Sequence, residues 1–219
     1  MRTRIGLVLL LGIAILASAI PATANAAEET GSTSRWPWSG YWWPMLSTDT
    51  NLYDNGQALA KYDQYLFNTT GTRGGAQAWE ANTANKHSTS NAANGWWGHC
   101  HAWAAASILA KEPAYNFTKG RVTFNTNDTK GLVTELYHSP KWSVFQGVRM
   151  EGTDKTSAAY KDIAPAWMDY LLRYYVRYYK YSFIMDINAD SHVWNFPVFA
   201  YRRNSTVAAD GTESVTTTV

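Results

Sequence analysis

One cysteine in 219 residues excludes an internal disulfide. Exported domains often lean on such bridges, so this fold must be held by packing. A lone cysteine also cannot build a Cys-rich metal framework. Charge is scarce, with charged residues at 16%. Beyond Arg2 and Arg4 the chain carries 17 basic against 17 acidic side chains, with no Lys/Arg stripe. That balance argues against a nucleic-acid partner. After Ile20 no apolar run is long enough to span a bilayer.

The first residues are of a different kind. Arg2 and Arg4 precede an apolar run from Ile5 to Ile20, and Ala24-Asn25-Ala26 follows. A basic start, an apolar stretch and a small-x-small site make a secretory signal peptide, expected at 1–26. The chain is therefore expected to be secreted, with no membrane partner once cleaved. The remaining 193 residues suit one domain. Residues 27–35 are small and polar and are expected to be a flexible leader, with the domain proper at 36–219. TESVTTTV ends in mid-pattern without a turn, so truncation at the C-terminus is expected.

Aromatics are abundant, with 11 Trp and 14 Tyr. Four tryptophans fall in residues 36–46, WPWSGYWWPML, whose two prolines exclude a regular helix. The segment is expected to be extended, packing its rings on the core or offering them to a ligand. Leu59, Tyr62, Tyr65 and Leu66 recur at helical spacing within 50–70. A polar connection follows, with a short helix expected near Ala76–Ala81. WWGHCHAWAAASILAK, residues 96–111, is expected to be a turn entering an Ala-rich helix. RVTF and WSVFQGVRM in 120–150 resemble strands, and 163–179 an aromatic helix starting near Pro165. YSFIMDI, HVWNFPVFAYR and SVTTTV are expected to be strands. Helices first and strands later make the expected class α+β.

Cys100 follows Gly98 and opens the expected helix. Unpaired N–H groups at a helix start favour negative charge and so the thiolate, which is the nucleophilic form. The alternative is a small buried hydrophobe in an Ala-rich helix. A thiolate enzyme needs an oxyanion site and a base. Asn94, six residues before Cys100, is the oxyanion candidate. His192 opens the strand pattern HVWNFPVF and is the first choice of base; His138, in YHSPKW, is the second. His99 and His101 flank the cysteine and point elsewhere. Asp186 and Asp190 precede His192, whereas Asn195, three residues on along a strand, would face away from it. The third group is left open. His99-Cys100-His101 holds three potential metal ligands, but adjacent residues diverge and no second cluster completes a site, so no metal ligand is expected.

NGWWGHCHAWAAASIL, the upstream SGYWWPM and VWNFPVFAYRR at 193–203 together resemble the transglutaminase elicitor family of oomycete plant pathogens. The resemblance implies that Cys100 is the nucleophile of a papain-like core, with the base on a later strand. It implies secreted protein-glutamine gamma-glutamyltransferase activity: acyltransferase chemistry that joins glutamine-bearing to lysine-bearing proteins through a Cys100 thioester. It implies a plant-defence elicitor segment at 193–205, read by a plant immune receptor. It also implies calcium, although no calcium loop spacing is present, and no other cofactor is evident. Phe196 and Phe199-Ala200 depart from the elicitor pattern. Two alternatives stay open. A papain-like cysteine protease would share the acyl-enzyme and use water. A non-catalytic, aromatic-rich protein would bind carbohydrate or cell wall.

Overall fold

The computed structural model describes residues 25–46, 50–139, 144–148, 152, 154–158, 163–188 and 191–219. The expected signal peptide lies almost wholly outside them. No helix among the described residues is long and apolar enough to cross a membrane.

The first half of the chain is helical: α1 is Ala58–Thr70, α2 Ala76–Ala81, α3 Cys100–Leu109 and α4 Thr126–Glu135. α2 and α3 lie where the sequence places them. α1 is shorter than the 50–70 pattern, because Asn51 takes the chain into a turn first. Its buried Oδ1 accepts the N–H groups of Tyr53 and Asp54 at 2.9 and 2.8 Å. α2 begins at Gly75, whose φ of +80° suits glycine and which carries no capping side chain. Asp63 of α1 supplies the cap from outside, its buried carboxylate accepting from the N–H groups of Ala76 and Gln77 at 3.0 Å each.

α4 falls within 120–150, between the two runs expected to be strands. Among the described residues there, β3, Val122–Phe124, is the one strand, paired with β2, Phe117–Lys119. Gly120 and Arg121 both have positive φ, which closes this hairpin with the backbone twist that two-residue loops need. Asn125 then stops the strand. Its side chain accepts from the Asp128 N–H while Asp128 accepts from the Asn125 N–H, both at 2.8 Å, a reciprocal box that starts a helix. Lys61 of α1 pairs with the same Asp128 carboxylate at 2.6 Å. Within WSVFQGVRM, residues 144–148 form no strand and the rest lie outside the described residues.

α3 is apolar on most sides, which places it in the centre. Ala102, Ala104, Ala106 and Ser107 are fully buried. Trp38, Trp43, Leu52 and Leu59 pack with Trp103 and Ala106 of this helix as the main core. The aromatic segment 36–46 runs as a strap along α3. At the helix C-terminus, Trp38 Nε1 donates to the Ala110 carbonyl at 3.2 Å and Arg35 to the Leu109 carbonyl at 3.2 Å. Trp38 and Trp43 are thus core residues, whereas Trp36 is exposed.

The second half contains α5, Pro165–Leu171, which continues as a π-helix over Leu172–Tyr179. β4, Phe183–Asp186, pairs antiparallel with β5, Asn195–Val198. β6, Ala200–Val207, is the centre of a three-stranded antiparallel sheet with β7, Glu213–Thr218, on one side. The other neighbour corrects the sequence reading. Most of the residues expected as a flexible leader, 27–32, belong with the last two of the expected signal peptide to a strand, Asn25–Ser32, in register with β6 from Asn25↔Val207 to Ser32↔Ala200. This strand, β1, has no local pattern to betray it, because its stabilising partners lie 168 to 182 residues away in the chain. Leu172, Val176, Val198 and Tyr201 form a second apolar cluster beneath the sheet. The architecture is mixed helix and strand, helical first and β-rich later.

Candidate functional site

The strap fixes the approach to Cys100. The His99 N–H donates to the Trp42 carbonyl at 2.5 Å, Met45 N–H to the Trp97 carbonyl at 2.6 Å, and Pro44 and Gly98 form an antiparallel bridge. Gly98 is required here by space rather than φ. A Cβ would sit 2.4 Å from the Trp42 carbonyl oxygen and 2.7 Å from that of Trp43. Glycine therefore lets two backbones touch just before α3. His99 is the N-cap and Cys100 the first helical residue. The helix-start position expected of the nucleophile is present, and Cys100 is a free, buried thiol.

β5 packs against α3 and brings the segment 193–195 onto the sulfur. Cys100 Sγ lies 3.9 Å from the Val193 carbonyl oxygen, and Asn195 Nδ2 lies 3.7 Å from Sγ. Asn195 had been expected to face away from His192. That expectation assumed one continuous strand, but β5 starts only at Asn195, and 192–194 approach it as irregular chain. The two-residue alternation therefore does not extend back to His192. Asp186 shapes this approach by accepting from the Trp194 N–H at 2.8 Å. Asp190 lies outside the described residues.

His192 is exposed, and its ring meets Trp96 edge-on at 4.7 Å. Trp96 lies against Trp194 at 5.4 Å, and Trp194 against Trp42 at 5.7 Å. An aromatic wall therefore stands beside the 193–195 segment, with His192 at its rim. Asn94 ends a short helical turn and accepts from the Trp97 N–H at 3.0 Å. No hydrogen bond among the described residues joins its side chain to Cys100.

His138 is drawn into a different group. Its ring is tilted against His87 with centroids 3.6 Å apart, and lies 4.9 Å from His99 and 4.8 Å from His101. Two carboxylates face these rings, Glu80 from α2 and Glu135 from the last turn of α4. His87 Nδ1 is 3.0 Å from Glu80 and 3.4 Å from Glu135. His99 lies between them, Nε2 3.2 Å from Glu80 and Nδ1 2.9 Å from Glu135. Burial alone would lower the pKa of His87 and His99, but the adjacent Glu135 and Glu80 raise both to about 9. Burial works to raise Glu135, and His87 and His99 bring it to about 2. His138 goes the other way, to about 3, through burial and then the charges of His99 and His87.

The sequence had offered little sign of this second group. Glu80, His87, His99 and Glu135 are spread over more than fifty residues, and the spacing Glu135-x-x-His138 is the readable hint. Asn195 was weighed only as a partner for His192, so its place beside the sulfur was not foreseen.

Two comparisons bear on the chain. The family model described as "Transglutaminase elicitor" matches residues 68–217. The crystal structure of the GP42 transglutaminase from Phytophthora sojae superposes with a TM-score of 0.56 at 17% identity, covering 86% of this chain and 73% of that one. At that identity the likeness concerns the fold. Curated protein sequences give no match. The family match spans the α2 carboxylate, Cys100, both histidine groups and the 193–203 segment, and on it the chain belongs to the transglutaminase elicitor family.

Proposed function

We propose that this chain is a secreted transglutaminase-like elicitor that joins glutamine and lysine side chains through Cys100. The observation that carries this reading is the sulfur at the first residue of α3, covered by Val193 and Asn195 and bordered by tryptophans. In the proposed reaction the Cys100 thiolate attacks the carboxamide carbon of a protein glutamine. The C–N bond breaks, and ammonia leaves with a proton delivered by His192. A thioester remains. A lysine amine then attacks the same carbon, the C–S bond breaks, and an isopeptide bond forms while the thiol is restored. Asn195 Nδ2, beside the sulfur, is placed to donate to the oxyanion of either tetrahedral intermediate. A papain-like arrangement, nucleophile at a helix start and base in the chain that leads into a later strand, is part of this proposal.

An amine acceptor is favoured over the water of a protease by the surroundings. Cys100 is only 8% exposed, and Trp42, Trp96 and Trp194 offer apolar and π faces to a lysine stem and its cationic head. Calcium, implied by the resemblance, finds no matching donors here. Both groups of three or more His, Cys, Asp or Glu ligands among the described residues contain imidazoles, whereas calcium takes six to eight oxygens.

The test is incorporation of a labelled primary amine into a glutamine-bearing protein, run beside peptide hydrolysis. Cys100→Ser is expected to abolish incorporation, and His192→Ala to reduce it by about 10²–10⁴-fold. Undiminished incorporation by Cys100→Ser sinks the reading, and hydrolysis without incorporation in the unaltered protein turns it into a protease. The same Cys100→Ser protein separates the elicitor role. If a plant receptor reads exposed residues of 193–205, such as Phe196 and Arg202, the defence response survives loss of cross-linking. A response that disappears together with cross-linking argues that the receptor reads the reaction instead.

A further inference from the structure

We propose that Glu80, His87, His99 and Glu135, joined by His138, form a binding site for a divalent first-row transition metal of the Zn²⁺ class. The site is independent of the cross-linking reading and lies on the side of the α3 start occupied by His99.

Geometry is the first argument. Glu80, His87, His99 and Glu135 each present one ligand atom within 4.8 Å of all the others, and His87, His99 and His138 do the same. Ligands bound at about 2.0–2.2 Å around one ion lie roughly 3.3–4.3 Å apart. A small inward shift of these side chains therefore completes a site. The donors come from separate places: α2, the loop after it, the N-cap of α3, the end of α4 and the turn beyond. Such convergence needs the tertiary fold.

Polar satisfaction is the second argument. Glu80 Oε1, His99 Nδ1, Glu135 Oε1 and His138 Nε2 are buried without a hydrogen bond. Glu80 and His99 are each 1% exposed. Yet His99 Nδ1 lies only 2.9 Å from Glu135 Oε1, and His99 Nε2 only 3.2 Å from Glu80 Oε1. These contacts are close but misaligned for ring N–H donation. A buried polar atom without a partner is costly, and a cation bound among these side chains would give a partner to the atoms that ligate it.

The donor chemistry selects the ion. Imidazole nitrogen with carboxylate oxygen suits Zn²⁺, Fe²⁺, Co²⁺ or Mn²⁺ rather than calcium or magnesium. Two carboxylates would neutralise one divalent ion. The competing account keeps the charge balance with two imidazolium rings against the two carboxylates. It leaves His138 Nε2 without a partner, together with the His138 ring centred 3.6 Å from that of His87. Because His99 directly precedes Cys100, an ion here would tie the start of α3 to α2 and α4, making His99 a positioning residue for the thiol.

The experiment uses the full secreted chain, stripped by a chelator and titrated with Zn²⁺ and with Co²⁺ as a spectroscopic probe. One equivalent is expected to bind, with a Co²⁺ ligand-field spectrum and a rise in Tm that chelator reverses. Glu80→Gln and Glu135→Gln are expected to weaken binding by about a hundredfold or more. His138→Gln, in a partly exposed turn, serves if the buried variants do not fold, with about a tenfold loss expected. Absence of stoichiometric binding by the folded, stripped chain overturns the site, since the cluster is then a proton-held ion-pair network. A Co²⁺ spectrum unchanged in the folded variants overturns it too. Amine incorporation is read separately, so a chain that binds metal but does not cross-link leaves this inference standing.

Discussion

Gly98 shows how much one missing side chain carries. Its hydrogen faces the Trp42 and Trp43 carbonyls, and the bridge to Pro44 depends on that contact. A methyl group there must push the strap off the entrance to α3. Gly98→Ala is expected to destabilise the fold by about 1–3 kcal/mol, the range for overpacking, and to slow alkylation or reaction at Cys100 beyond what the stability loss explains. Urea melts with a thiol-labelling rate check this. Unchanged stability would mean that the strap adjusts freely and does not fix the thiol. At this scale the sequence served well for Cys100, since a helix start after a glycine is a local pattern. It served poorly for Asn195, whose place beside the sulfur depends on where β5 begins.

Among the elements, α2 depends most on a neighbour. Six residues make a marginal helix in isolation, and its cap comes from Asp63, thirteen residues upstream on α1. Asp63→Ala is expected to cost about 1–2 kcal/mol, as loss of a helix cap does, and to disturb Glu80 at the far end of the same helix. Chemical denaturation measures the first effect. A variant as stable as the parent would show that α2 is held by its packing alone. α3 was legible because its alanines and the entering glycine agree. α4 was not, because VTF reads as strand and the polar residues after it carry a helix-starting box, Asn125–Asp128, but no apolar helical period. β1 was not legible either, since a polar strand is defined by its partner.

The whole molecule is clasped by β1. Glu29 meets Arg177, Arg173 at 3.2 Å, and the Tyr201 hydroxyl at 2.6 Å. These contacts tie the first described strand to the π-helix and to β6. Burial tends to raise Glu29, but Tyr201, Arg173 and Arg177 outweigh it and hold the carboxyl below its ordinary 4.5. A depressed folded pKa stabilises above the unfolded value and is lost as pH falls through the folded one. The stability gap between the parent and Glu29→Gln is therefore expected to be full above pH 4.5 and to close on further acidification. Thermal melts across that range test it, and a gap independent of pH would show that the carboxylate charge is not what holds β1. The partly exposed arginines keep the effect modest.

Local chemistry settled the class of the molecule. The helix-start cysteine, the tryptophan-rich flanks and the 193–203 motif are contiguous signals, and they pointed to the transglutaminase elicitor family that the family match shows. Mixed helix-then-strand order was readable for the same reason, since period and capping are properties of neighbouring residues. Tertiary structure decided what shares a space with the thiol. It set Val193 and Asn195 on the sulfur, left His192 at an aromatic rim, and drew His138 into a cluster with Glu80, His87, His99 and Glu135. Those neighbours come from helices and strands far apart in the chain, and only packing brings them within a few ångströms of one another.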